Sequence, residues 1–410
     1  MASPQVISTL QALESSSTSQ GEKAPGYSSL LTSIVKDSRP DDLAHNLIAF
    51  VDSVLSDTVG IVTSRPLLAS FVEVLKTLSN NHAKIQVGQH AVETLQPRVI
   101  SFEEQDIAIR EALADAYEAD EQYLESAKVL QAMQLDTTQR MISDEYRFRI
   151  WMRIVRLFLE EDEPTNAETY LNRAKNQLYK VQDQEQKLIY QLSQARVLDA
   201  RRKFLDASQA YHSFSFSTML AEEERTRALS EAIKCAVLAP AGPQRSRTLA
   251  KLYKDERALQ VEEFGILEKM FLDRLLAPSE VDKFAAGLAP HQLAQTADGS
   301  TVLAKAVVEH NLLGASKLYS NIGIDELGVL LGLDGEKAEE YAARMIEQGR
   351  VSGSIDQVDR LIRFEAIDNK AGRQLRIWDM NVQGLAEEVE KVTTLLRNKH
   401  PDFVTANLVH

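Results

Sequence analysis

Residues 320–365 read SNIGIDELGVLLGLDGEKAEEYAARMIEQGRVSGSIDQVDRLIRFE, and the order of elements in this stretch decides the fold of the C-terminal part of the chain. Ser320 to Gly323 is a short extended piece. Ile324 to Leu331 carries the apolar spacing of a short helix, and Gly332-Leu-Asp334 makes a turn with Asp334 placed as an N-cap. A longer helix runs from about Gly335 to Gln348 and stops at Gly349, a residue that tolerates the left-handed conformation in which helices end. Two short strands follow, Arg350 to Ile355 and Val358 to Glu365, around a tight Asp356-Gln357 connection. Upstream, Val302 to Tyr319 reads as a further helix.

Helix, short strand, helix, helix, hairpin is the order of a winged helix, here spanning residues 286–368. Its hairpin offers strand edges for pairing with another chain. Arg350, Val351, Ile355, Ile362 and Phe364 are the candidate partner-binding residues of that wing edge.

Downstream, in 369–410, Leu375, Trp378, Val382, Leu385, Val389, Val392 and Leu396 fall at 3-4-3-4-3-4 spacing among mostly polar neighbours. A period of 3.5 residues keeps one seam of a helix against neighbouring helices over several turns. The seam fits an interface with other chains, and on spacing alone it fits an intrachain core equally well. Gly384 in the middle costs roughly 1 kcal/mol of helix propensity relative to alanine. A helix that keeps it draws its stability from packing.

Upstream, residues 29–285 are helical nearly throughout, with few period-two runs. A degenerate forty-residue repeat places Ala127, Ala167 and Ala207 ten residues after Tyr117, Leu157 and Val197, with acidic or polar turns between. Small residues let the second helix of a pair approach the first, so the pattern predicts stacked antiparallel helix pairs, a TPR-like superhelical arm. Residues 1–28, rich in serine around 15–19, read as a flexible tail with one short helix. The expected class is mainly α: a helical-repeat arm, a winged helix with a small antiparallel hairpin, and a terminal heptad helix.

The 410 residues are too many for one core, and 44% hydrophobic with 26% charged residues is ordinary for a globular chain. A net charge of −14 argues against a general nucleic-acid binder. The third helix of a winged helix often enters the major groove. Here it and its cap carry Asp334, Glu336, Glu339, Glu340 and Glu347 against Lys337 and Arg344, an excess of acid that phosphates would repel. Arg350, Arg360 and Arg363 are the few bases of the wing. The single cysteine, Cys235, cannot form an internal disulfide and suits a reducing compartment. No basic residue precedes Lys23 and no apolar run reaches membrane length, so neither secretion nor membrane insertion is expected.

Catalytic constellations are missing from the sequence. There is no phosphate-binding Gly-rich loop, no His-Glu-x-x-His or His-x-His, and no cysteine pair for zinc. The eight histidines are scattered; His90 and Glu93 share a helical face without a third ligand. No catalytic, cofactor or metal residue is assigned.

Helical repeats running into a winged helix and then a heptad helix resemble the PCI-domain proteins shared by the proteasome lid, the COP-nine signalosome and translation initiation factor three. Leu95-Gln-Pro-Arg-Val-Ile-Ser-Phe-Glu-Glu-Gln105, Ala195 to Phe204, Gln244-Arg-Ser-Arg247, Tyr253 to Arg257, Phe264 to Met270, Pro290-His-Gln, Thr296-Ala-Asp-Gly-Ser300 and Val308-Glu-His-Asn-Leu-Leu313 resemble the signalosome members of that family. The resemblance covers roughly residues 45 to 400. It implies a non-catalytic scaffold of cytoplasm and nucleus, with winged helices side by side and C-terminal helices in a common bundle. The implied partners are other signalosome subunits, both PCI subunits and the metalloprotease pair. Cullin-RING ubiquitin ligases are the implied substrate, relieved of a ubiquitin-like modifier by a centre on another subunit. The alternatives are a lid subunit of the proteasome and, from another class, a winged-helix nucleic-acid binder.

Overall fold

The computed structural model describes residues 3–15, 20–56, 59–135, 142–295, 299–365 and 369–400. It divides into two compact units, Met1–Lys203 and Phe204–His410.

The first unit is built from helices α1 (Pro4–Ser15), α2 (Gln20–Asp37), α3 (Pro40–Val54), α4 (Ile61–Thr77), α5 (Asn81–Leu95), α6 (Glu103–Ala119), α7 (Tyr123–Gln131), α8 (Asp144–Glu160), α9 (Pro164–Lys175) and α10 (Gln184–Ala200). One core gathers α1 to α6 around Tyr27, Phe50 and Phe71, and a second gathers the later helices around Phe148, Trp151 and Phe158. α8 shows why the sequence folds this way. Ser143 accepts the Tyr146 amide at 3.2 Å as its N-cap, Asp144 and Glu145 fill the first turn, and Phe148, Trp151, Val155 and Phe158 form its buried stripe. Arg153 on its outer face donates to Glu118 and Asp115 of α6, tying successive pairs together.

The forty-residue repeat is visible as buried alanines: Ala127 and Ala167 are fully covered where α7 packs on α6 and α9 on α8, with Tyr117 and Leu157 buried opposite. A second signature of the same period lies in the turns. Glu121, Asp162 and Arg202 all have positive φ (57°, 54° and 58°). Each is followed by an amide that bonds back five residues: Gln122 to Tyr117 O, Glu163 to Phe158 O and Lys203 to Leu198 O, at 2.8–2.9 Å. These are Schellman closures made without glycine.

Of the tail expected at 1–28, the described residues of α1 and the start of α2 instead pack into the first core. Leu10 and Tyr27 are buried, Ser53 Oγ donates to Glu14 at 2.5 Å and pairs with the Tyr27 hydroxyl at 3.0 Å, and Asn46 accepts the Ser3 amide. Apolar residues at 6, 10 and 13 give α1 one oily face, which outweighs the serine content that suggested a tail.

The second unit comprises α11 (Phe204–Phe214), α12 (Glu222–Leu238), α13 (Pro243–Tyr253), α14 (Phe264–Phe271), α15 (Pro278–Ala285), α16 (Val302–Leu318), β1 (Asn321–Gly323), α17 (Ile324–Leu331), α18 (Gly335–Glu347), β2 (Gly353–Asp356), β3 (Leu361–Phe364) and α19 (Asn369–Lys399). Ala207 and Cys235 are buried in its helical part. From α16 to β3 the order is that of the winged helix. Thr301 caps α16 on the Ala304 amide at 3.1 Å; Gly332 (φ 69°) and Gly349 (φ 67°) end α17 and α18 in the left-handed region. Asp334 takes the N-cap backbone position of α18, though its side chain caps no amide.

The sheet is antiparallel in the order β1-β3-β2, with Ile362 opposite both Ile322 and Ile355. The β2–β3 link is four residues, not the tight pair expected, because Asp356 Oδ1 accepts the Val358 and Asp359 amides at 3.2 Å and widens the turn. The boundary expected at 285–286 falls inside this unit. Ala241, from the α12–α13 connection, belongs to the same core cluster as Leu312, Leu327 and Ile362 of the winged helix.

Candidate assembly interface

α19 is 31 residues long, about 46 Å at 1.5 Å per residue. Along its heptad seam Trp378 is 67% exposed, Val382 44%, Leu385 68%, Val389 58% and Val392 53%, and Leu396 is half-buried. The side chain of Leu375 lies outside the described residues. Isolated exposed leucines are commonplace, but a continuous apolar stripe on a helix face marks a surface meant for covering. The seam is therefore not intrachain core over these described positions. A Cβ built on Gly384 would meet nothing within 4 Å, so no contact inside the chain calls for glycine there.

The wing distributes its candidates differently. β3 is the central strand, so Ile362 and Phe364 cannot lie on an edge; Ile362 is fully buried, and Phe364 and Val351 are buried beside it. Period-two alternation sends these side chains to the core face, and a hairpin read from sequence does not reveal which strand ends up in the middle. Arg350 is engaged within the chain. Of the five wing residues, only Ile355 lies on the open strand β2, half-buried against the core. Beside β2 an open groove of about 500 Å³ is lined by Glu339 and Ala343 of α18, by Ser354–Gln357 and by Arg363. Among the described residues the outer edge of β2 has no strand partner. An extended segment laid there would gain ladder hydrogen bonds and a polar groove for its side chains.

The outer face of α18 is acidic as read: Glu336, Glu340 and Glu347 are exposed, and Arg344 is neutralised by Glu340 at 2.7 Å. This surface repels a phosphate backbone.

Three consecutive residues of α16 join the winged helix to the helices before it. Glu309 accepts the Ala241 amide at 3.2 Å and a bidentate pair from Arg350, whose Nη1 lies 3.1 Å from Oε1 and whose Nη2 meets Oε2. Arg350 Nε donates to Ala241 O at 2.7 Å, so the amide and the carbonyl of one residue, Ala241, are each held by one member of the ion pair. His310 donates from Nε2 to Arg274 O at 2.9 Å and accepts from Arg245 at Nδ1 at 3.3 Å, which fixes its neutral tautomer. Burial, with the Arg245 cation beside it, pushes the imidazole down to about 4. Burial likewise pushes Arg245 down to about 10, against the pull of Glu309. Asn311 brackets Leu276, accepting its amide at 2.9 Å and donating to its carbonyl at 3.3 Å. Sequence reasoning assigned no role to Glu309, His310 or Arg245; the available signal was a charged and polar run, Glu-His-Asn, set between apolar residues of one helix.

One cluster gathers serine, histidine and aspartate. His212 Nε2 lies 3.2 Å from Asp255, but Ser215 Oγ donates to the His212 carbonyl, not to its ring, and Arg257 binds both Asp255 and Ser215. Burial alone would raise the Asp255 pKa; the hydrogen bonds from Arg257 and His212 hold it below the usual carboxylate range. With no base on the hydroxyl, this is a structural knot and not a nucleophilic triad. His90 bonds Asp52 at 2.7 Å rather than joining Glu93.

Comparison with known proteins matches two family descriptions to the chain. The family described as "PSMD12/CSN4, N-terminal" matches residues 5–223, and the PCI domain matches residues 268–366. COP9 signalosome complex subunit 4 of Emericella nidulans is 57% identical, over 98% of this chain and 99% of that protein. The chain belongs to the COP9 signalosome subunit 4 family. The protein of that name from Neurospora crassa is 46% identical over 95% of this chain and 96% of its own length, and that from Dictyostelium discoideum 44% over 93% and 94%. The family is that of a PCI subunit and not of a catalytic one. Two of the family-like stretches turn out to be structural. Glu309, His310 and Asn311 make the junction just described. Within Gln96–Ser101, a 3-10 segment, Arg98 donates to Leu55 O at 2.9 Å while Ser101 O accepts two bonds from Arg65.

Proposed function

We propose that this chain is a non-catalytic scaffold subunit of the COP9 signalosome, held in the complex through α19 and the open edge of its winged helix. The observation that carries the reading is the uncovered heptad seam of α19, in a chain related over nearly its whole length to proteins named as subunit 4. A helix of this length with an apolar seam fits a shared bundle with other subunits' helices. The partners are the other signalosome subunits, and the work supported is removal of a ubiquitin-like modifier from cullin-RING ligases by a metalloprotease on another subunit. The chain acts in cytoplasm and nucleus.

Affinity purification of the tagged chain from native extract, with mass spectrometry of what copurifies, tests the assignment. Signalosome subunits are expected; recovery of proteasome-lid subunits instead would refute it. Reconstitution with and without the chain then tests the role, the expected result being loss of cullin demodification without it.

A further inference from the structure

Two features of the winged helix meet at Arg350. It lies three residues ahead of β2, the strand whose edge is open, and it is bound to Glu309 and to the Ala241 carbonyl. Ala241 and Val351 are both buried in the winged-helix core, so the ion pair closes a loop: α16 to Arg350, Arg350 to the α12–α13 connection, and that connection back to α16 through the Ala241 amide. Successive helix residues point about 100° apart. From one turn Glu309 thus reaches the α12–α13 connection and Arg350, His310 reaches α13 and the α14–α15 connection, and Asn311 reaches that same connection.

Stability alone does not require charges here. A buried ion pair loses much of its Coulomb energy to desolvation, and apolar replacements of like volume are often as stable. What apolar packing does not supply is direction. A bidentate guanidinium–carboxylate pair fixes both planes, whereas apolar contact tolerates rotation and slip.

We infer that Glu309 and Arg350 form a positioning clamp that sets how the β2 edge is presented relative to the preceding helices, so that partner binding at that edge depends on an ion pair that itself touches no partner. The inference rests on the assembly reading given above. It assigns Arg350, a residue of the wing edge by sequence, to orienting the edge instead of contacting the partner.

The test uses the full chain carrying Glu309→Met with Arg350→Met, titrated into the complex assembled without this subunit. The expected result is a folded chain with a melting temperature lowered by a few degrees, because the buried Ala241 amide and carbonyl lose their partners, and with association weakened about tenfold or more. Amide exchange at Ala241 and along 353–356 should rise in step. If the double variant melts well below the original, Arg350→Lys decides: it keeps the charge, loses the fork, and is expected to weaken association about threefold while remaining folded. Leu385→Glu on α19 is the control. Undiminished association of the clamp variants, with loss in Leu385→Glu, overturns the clamp alone; undiminished association in all of them overturns the assembly reading itself.

Discussion

Lowering the pH should loosen the second unit through one histidine. His310 is buried, with Nε2 bound to a carbonyl and Nδ1 facing the Arg245 guanidinium, so a second proton would break one hydrogen bond and set two cations side by side. Its pKa is about 4 in the folded chain against 6.5 for an unperturbed histidine. Between those values the unfolded chain binds more protons than the folded one, so stability rises with pH across that window and falls as the medium is acidified. Linkage puts the loss at about 2 kcal/mol on going from about pH 7.5 to about pH 5, and at about 3 kcal/mol by pH 4. Other groups titrate in the same range, and comparison with His310→Gln isolates this one, since glutamine offers a donor and an acceptor without titrating there. Urea denaturation followed by circular dichroism at both pH values should show the original chain losing about 2 kcal/mol more than the variant. Imidazole nitrogen shifts should show a neutral Nε2–H ring down to about pH 5. Equal pH dependence of the two proteins, or a ring titrating near 6.5, would refute the reasoning.

Glutamate at Val382, Leu385 or Val389 is expected to leave melting of the isolated chain within a few degrees of the original, because these side chains are already exposed, while weakening copurification with the complex. Unfolding of the isolated chain would show that the seam is internal. Ile362→Ala should cost about 2–4 kcal/mol in urea denaturation, whereas Ser354→Ala on the exposed edge should cost under about 0.5 kcal/mol; the reverse ranking would restore Ile362 to the edge. At the positive-φ turn between α6 and α7, Glu121→Gly should be neutral or slightly stabilising and Glu121→Val should destabilise by about 1–2 kcal/mol, read by thermal melting.

The fold was legible where local chemistry decides it. Glycines at 332 and 349, the apolar spacing of 324–331 and the alanines at 127, 167 and 207 each constrain their own neighbourhood, and the winged helix and the helix pairs follow from them. Strand position was not legible. Ile362 and Phe364 carry the same β-branched and aromatic signal whether β3 is central or lateral, because strand order is settled by β1, forty residues earlier in the chain. The Schellman turns were missed because Glu121, Asp162 and Arg202 occupy a conformation usually announced by glycine. The N-terminal helix is hidden for the opposite reason: a serine-rich composition averages away an apolar face only one helix long. At the interface, the heptad spacing located the seam of α19, while the clamp behind the wing was invisible because its partners lie 41 and 68 residues from Glu309.

The two candidate contact elements are close by covalent necessity. Four peptide steps separate Glu365, next to the end of β3, from Asn369 at the start of α19, a span of at most about 14 Å. A partner docked on β2, a strand hydrogen-bonded to β3 throughout, would therefore lie within reach of the first turn of α19. Each contact raises the effective concentration of the other, so two modest contacts combine into a tight one without either being extensive. Loss of one contact should then leave residual, concentration-dependent association, and loss of both should leave none. This is also why orientation matters more than strength at the clamp: a β2 edge turned away from its partner keeps its hydrogen-bonding groups but forfeits the proximity on which α19 depends.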